Sequence, residues 1–316
     1  MQTVYVTQER CTIHRAGEHL LLKRRGEYIT SIPLVSVNNL VVFDSVNLTA
    51  HAIDLLLNNG VDVVYMSRGG KIIGSLRSQR GGGAVVRLAQ FGAFMNPERR
   101  LSISKSMVDA KIHNQLSLAL KYKYHDTNNE FDANIAAIKS YSAKLKDAET
   151  INEVMGIEGV SAKSYWDCYK RLLKTPAFTR RDYRPAPDYV NALLNLGYAF
   201  LTNELATCLS VERFDMEIGF LHSVHYGRAS LVLDVMEEFR SPFVDAWLLS
   251  LLNRKVFKAD NFAIENNDYR LTGESFSKFC SLYHDHVDKW REIFQEQAKQ
   301  LRLAVMEGNS YEPYRE

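Results

Sequence analysis

Apolar and polar positions alternate through the first part of the chain. The runs 3–7, 11–15 and 19–23 are short, rich in β-branched or alternating apolar residues, and broken at Gly17 and Gly26; 31–37 and 40–43 continue the pattern. A period of two predicts strands. One exception, TAHAIDLLLN at 49–58, reads as a helix capped by Thr49 and stopped by Gly60. Strand-like runs at 61–66 and 72–76, separated by Gly69 and Gly70, predict a hairpin.

From Val85 onward the apolar residues recur at three and four. That period predicts helices at 85–95, 97–125, 129–146, 151–173, 188–209, 230–240, 242–256 and 272–306. Ser241-Pro242 reads as an N-cap with proline in the first helical position, and Pro185, Pro187 and Asp188 as the entry to another helix. The glycine triplet in RGGGA at 80–84 is the expected hinge, since three glycines hold no regular element. The expected fold class is therefore α+β: a small β-rich N-terminal domain over 1–84 and a larger all-α domain over 85–316.

The chain has 316 residues, 46% hydrophobic and 24% charged, which is ordinary for globular proteins and excludes long disorder and collagen-like repeats. No segment approaches the ~20 continuous apolar residues of a membrane span, so no membrane partner is expected. Cys11, Cys168, Cys208 and Cys280 lie far apart with no CxxC spacing and read as reduced thiols of a cytoplasmic protein. Net charge is only +2, but nine basic and two acidic residues fall within 77–123, and seven basic and two acidic within 163–184. Clusters of this kind form phosphate-binding surface or merely solvated helix faces.

Walker, GxGxxG, GxSxG and zinc-finger patterns are absent. Three segments carry candidate chemistry. In 219–249, His222 follows Gly-Phe-Leu, and Asp234, Glu237 and Glu238 share one side of a helix among apolar residues. Such carboxylates either face water or need a partner such as a divalent metal. In 151–169, Glu158 sits between two glycines near Ala162, Tyr165 and Trp166, as an exposed residue or as a ligand or acid/base. In 181–198, Arg181 and Arg184 lead into a capped helix bearing Asn191, and could touch phosphate.

Taken in order, GIEG at 156–159, RPAPDYVNALLNLGY at 184–198, GFLH at 219–222 and GRASLVLDVMEEFR at 227–240 resemble the adaptation integrase family of CRISPR systems, and KIHNQ at 111–115 and DNFAIENNDYRLTGESFSKF at 260–279 do so more loosely. The resemblance covers essentially the whole chain. It implies Glu158, His222 and Glu237 as ligands of Mg²⁺ or Mn²⁺, with Asp234 as an adjacent acidic helper and Arg240 near the reacting phosphate. Lys163, Arg181, Arg184 and Arg228 are then expected on DNA. The implied activity is joining of the 3′-hydroxyl of a short DNA fragment to repeat DNA by transesterification. The implied partners are double-stranded and branched DNA, a second copy forming a homodimer, and a small ferredoxin-like adaptation protein. A nuclease acting in repair and a non-catalytic DNA scaffold are the alternatives. His225 is a second imidazole in the same loop; His222 is preferred because it follows GFL directly.

Overall fold

The computed structural model describes residues 2–8, 10–43, 46–67, 72–77, 83–122, 130–183 and 185–316. The chain divides into two compact units: residues 1–82 with 270–291, and residues 83–269 with 292–316. The expected glycine hinge lies outside the described residues apart from Gly83 and Ala84.

In the first unit, β1 (Gln2–Val6), β5 (Val37–Phe43) and β7 (Asp62–Met66) run parallel, and β8 (Ile72–Leu76) closes the sheet antiparallel to β7, in the order β1-β5-β7-β8. A second sheet is ordered β4-β3-β2-β6, from β2 (Cys11–Ala16), β3 (His19–Arg24), β4 (Glu27–Pro33) and β6 (Asn47–Leu48). The expected strand at 31–37 is thus two strands, joined by a 3₁₀ turn at Leu34–Ser36. Helix α1 (Ala50–Asn58) is capped by the Thr49 hydroxyl, which accepts from Ala52 N, and Gly60 follows it at φ +73°. Ile13, Leu20, Leu22, Val42, Leu56 and Val63 are buried together as this unit's core.

The second unit is helical: α2 (Ala84–Met95), α3 (Pro97–Tyr122), α4 (Glu130–Leu145), α5 (Ile151–Leu172), α6 (Tyr189–Val211), α7 (Ser230–Phe239), α8 (Ala246–Asn253) and, after the return from the first unit, α10 (Arg291–Glu307). Helix α3 packs on α4, α5 and α7. Helix α6 buries residues on every side and is the core helix; a Cβ at its Gly197 would lie 2.8 Å from Val244 Cγ1, so only glycine permits this approach.

Two further expectations are corrected. The helix expected at 272–306 is two, α9 (Gly273–Val287) and α10, and α9 belongs to the first unit: Phe276 meets Phe43 edge-on at 5.0 Å and Tyr283 meets Tyr5 at 6.0 Å. Before it comes an unexpected hairpin, β9 (Phe262–Glu265) and β10 (Asp268–Leu271), turned by Asn266 and Asn267 at φ +53° and +61°, the conformation a two-residue hairpin requires. Ser241 caps nothing. A π-helical turn, Arg240–Asp245, carries α7 into α8 without a break; the Ser241 hydroxyl donates to the Asn114 carbonyl at 3.2 Å. Among the described residues, no helix is long and apolar enough to cross a membrane.

Candidate active site

The loop carrying GFLH is held from three sides. On α2, buried Gln90 donates to the carbonyls of Asp215 and Ile218 and accepts from Asp215 N. On α3, Arg100 donates to the Phe220 carbonyl at 2.8 Å. On α7, Asp234, wholly buried, accepts from the backbone N–H groups of Phe220, Leu221 and His222 at 2.5, 2.9 and 3.0 Å. Gly219 is required here, because a Cβ would stand 2.6 Å from Asp234 Oδ2. The same carboxylate lies 2.6 Å from His222 Nδ1. A proton on Nδ1, donated to this carboxylate, would leave Nε2 unprotonated, the tautomer a metal or a phosphate proton requires.

One turn along α7, Glu237 faces elsewhere. Its Oε2 lies 2.5 Å from Lys111 Nζ and 3.0 Å from Arg240 Nε. These are contacts of charge: neither has the angles of a hydrogen bond, and Oε2 and Arg240 Nε are buried without a directed partner. Burial acts to raise the Glu237 pKa, but Arg240, Lys111 and His222 outweigh it and hold the carboxyl at about 2. Arg240 also lies over the Tyr198 ring at 4.8 Å, and despite burial its pKa is raised by Glu237. Helix α5 brings Glu158, whose Oε1 accepts a hydrogen bond from the same Lys111 ammonium. Burial works to lower the Lys111 pKa, and Glu237 and Glu158 raise it.

Glu158, Glu237 and Arg240 therefore meet around Lys111. Among the described residues, no three His, Cys, Asp or Glu side chains stand close enough together to hold a metal ion as placed; the cation between the two glutamates is a lysine. The donors nevertheless suit a divalent ion. Two carboxylates already converge on one cation, a buried Oε2 lacks a directed partner, and an imidazole is held at Nδ1 by Asp234.

The three acidic residues of α7, expected on one side, have three different partners. Asp234 holds the GFLH loop and Glu237 meets Lys111. Glu238 turns away to the C-terminal segment, where Tyr311 Oη donates to it at 2.6 Å and Tyr314 N at 2.9 Å. His225 is exposed, whereas His222 is the imidazole beside Asp234. Arg181, expected on DNA, is turned inward. It donates to Asn191 Oδ1, Asn195 Oδ1 and the Asp182 carbonyl, and its guanidinium lies 4.3 to 5.8 Å from the rings of Tyr183, Tyr198 and Trp166. Asn191 is buried and fully bonded. Arg184 lies outside the described residues. Lys163 is exposed on α5, and Arg228 is half-buried beside the GFLH loop. Much of the basic cluster at 77–123 is also internal: Arg99 donates to the Ala304 and Val305 carbonyls at the end of α10, and Lys105 to those of Lys146 and Ala148.

Sequence reasoning missed Lys111, Asn114 and Gln90 as parts of the site. The signal for the first was present: Met107, Lys111, Gln115 and Leu118 lie along the core-facing side of α3, where an unpaired lysine has no place.

The family model described as CRISPR associated protein Cas1 matches residues 4–285. A relative from Thermus thermophilus, CRISPR-associated endonuclease Cas1 3, is 30% identical over 327 residues, covering 98% of this chain and 96% of that protein. Among solved structures, a Cas6-RT-Cas1–Cas2 complex superposes with a TM-score of 0.89 at 22% identity, covering 100% of this chain and 36% of that one. A casposase bound to integration product superposes with a TM-score of 0.85 at 23% identity, covering 98% and 92%. The structural likenesses carry the fold; the family match begins in β1, ends in α9 and takes in the helices that bear Glu158 and Glu237 and the loop that bears His222, and the chain belongs to the Cas1 family.

Proposed function

We propose that this chain is a metal-dependent DNA integrase and endonuclease of CRISPR adaptation, and that Glu158, His222 and Glu237 hold its Mg²⁺ or Mn²⁺. The convergence of Glu158 and Glu237, from α5 and α7, on one buried cation is the observation that carries the reading. The bound ion would neutralise charge on a phosphodiester and lower the pKa of an attacking hydroxyl.

The protein's own groups do the rest. Asp234 fixes the His222 ring and the loop that bears it, and so acts as a positioning residue. Arg240 keeps Glu237 ionised and places positive charge beside the reacting phosphate. The 3′-hydroxyl of a DNA fragment attacks a phosphorus of the repeat strand in line; a new P–O bond forms as the bond to the departing 3′-oxygen breaks. No covalent protein intermediate is needed. Lys163 and Arg228 are the proposed phosphate contacts, with Arg184, so duplex binding weakens steeply with salt. Similar structures solved as a Cas6-RT-Cas1–Cas2 complex and as a Cas1–DNA complex support Cas2 and DNA as partners; the reading further takes the second protein to be small and ferredoxin-like, and a second copy of this chain to complete a homodimer.

The test is joining of an end-labelled fragment to repeat duplex. Glu158→Gln, His222→Ala and Glu237→Gln are each expected to abolish the joined product while duplex binding and helical circular dichroism persist. Normal joining by all three variants rejects the site. Shortened strands without joined product, from the unsubstituted protein, point to hydrolysis alone.

A further inference from the structure

Lys111 is the one member of the cluster with no part in the proposed chemistry. It lies in the middle of α3, 6% exposed, and its ammonium touches Glu158 from one side and Glu237 from the other. An ammonium removed from water is costly unless it is paired, so this position is maintained by the two glutamates. They need it in turn, because two carboxylates facing one point repel each other without a cation between them.

Formal charge decides the outcome when a divalent ion arrives. Glu158 and Glu237 against Lys111 and Arg240 sum to zero. A divalent ion added with Lys111 in place leaves a double positive excess in a largely dry site. With Lys111 withdrawn, the excess is a single positive charge, which one phosphodiester neutralises. Geometry agrees, since the carboxylate oxygens an ion would take are those Lys111 contacts. Lysine suits such exchange, being a compact charge on a flexible four-carbon stem. Arg240 cannot exchange in this way: it stands one turn from Glu237 on the same helical run, with its guanidinium over Tyr198.

We propose that the Lys111 ammonium is a built-in stand-in for the divalent ion, keeping Glu158 and Glu237 together in the metal-free protein and leaving when the ion enters. This inference rests on the reading of those glutamates as ligands. In the unloaded state the stand-in preserves the spacing of the ligand pair. It also makes metal loading conditional on breaking two ion pairs, and so sets the affinity of the site below that of the bare ligand set.

The experiment measures Mn²⁺ binding by electron paramagnetic resonance in the full chain, with thermal melting in EDTA alongside. Lys111→Met is expected to bind Mn²⁺ at least about tenfold more tightly than the unsubstituted protein, because a competing charge at contact distance has gone, and to melt at lower temperature in EDTA. Unchanged or weaker Mn²⁺ binding by a folded Lys111→Met overturns the proposal. A second measurement needs no variant: acylation of the Lys111 amine, followed by mass spectrometry, is expected to rise when Mn²⁺ is added, and equal or lower reactivity also overturns it. Glu158→Gln serves as the separating control. If it leaves Mn²⁺ binding untouched, the ligand assignment has failed; if it weakens binding while Lys111→Met does not strengthen it, only the stand-in has failed.

Discussion

Glu238 shows what burial does to a carboxyl group that has hydrogen-bond donors but no cation. Burial raises its pKa from 4.5 to about 8, against the opposing effect of the Tyr311 and Tyr314 bonds. The folded protein thus binds this proton more tightly than the unfolded chain does. Its contribution to stability is fully present below about pH 4.5 and is lost as pH rises towards about 8. Glu238→Gln, which mimics the protonated group, is expected to remove that part of the decline; melting temperatures of both proteins between pH 5 and 8 should diverge with rising pH, the variant being the more stable at the upper end. At this scale the sequence was legible in kind but not in direction. Asp234, Glu237 and Glu238 stood out as carboxylates in an apolar setting, and all three are buried. Their partners come from the GFLH loop, from α3 and from residues 311–314, and no spacing within α7 encodes those encounters. Arg181 makes the complementary point: a basic residue before a proline-rich turn looks like a phosphate contact until its neighbours prove to be two asparagines and three aromatic rings.

Among the elements, the joint between α7 and α8 is the instructive one. Proline at 242 has no N–H, so the Glu238 carbonyl lacks the donor that an α-helix would supply from that position. Asn114 of α3 donates to this carbonyl at 2.8 Å and to that of Tyr314 at 3.0 Å, while its Oδ1 accepts from Glu316 N. One buried side chain thereby fastens α3, the last turn of α7 and the C-terminal segment. Asn114→Ala is expected to cost on the order of 2–3 kcal/mol, read as a lower urea midpoint with unchanged slope; a cost below about 0.5 kcal/mol would show that the fastening is dispensable. Most helices were readable because their apolar period is clean and their caps are local: Asp188 accepts from Asn191 N, and Thr150 and Glu153 form a reciprocal capping box before α5. Ser241-Pro242 carried the local signature of a helix start, and a tertiary contact from Asn114 overrode it. The hairpin at 262–271 could have been found from Asn266-Asn267 between FAIE and DYRL; it was hidden inside a polar stretch.

For the molecule as a whole, the change from strand to helix grammar near residue 83 was visible in periodicity, but the return of residues 270–291 to the first unit was not. Nothing local distinguishes α9 from α10; contacts with Phe43 and Tyr5, more than two hundred residues earlier, help to place α9. The expected domain over 1–84 is accordingly a piece of a unit. A fragment of residues 1–84 is expected to lack a cooperative thermal transition, and residues 1–82 joined to 270–291 through a long Gly/Ser linker to regain one, both followed by circular dichroism. Cooperative melting of the shorter fragment at the full chain's temperature would refute this.

The split of the first unit across the chain also bears on synthesis. A ribosome delivers both sheets early and α9 late, so the nascent β structure waits, with Tyr5 and Phe43 lacking their α9 contacts, while the helical unit is made. A chaperone that binds exposed apolar surface has its longest opportunity in that interval, and mutations that slow translation between residues 83 and 270 would lengthen the exposure without altering a single contact of the finished protein.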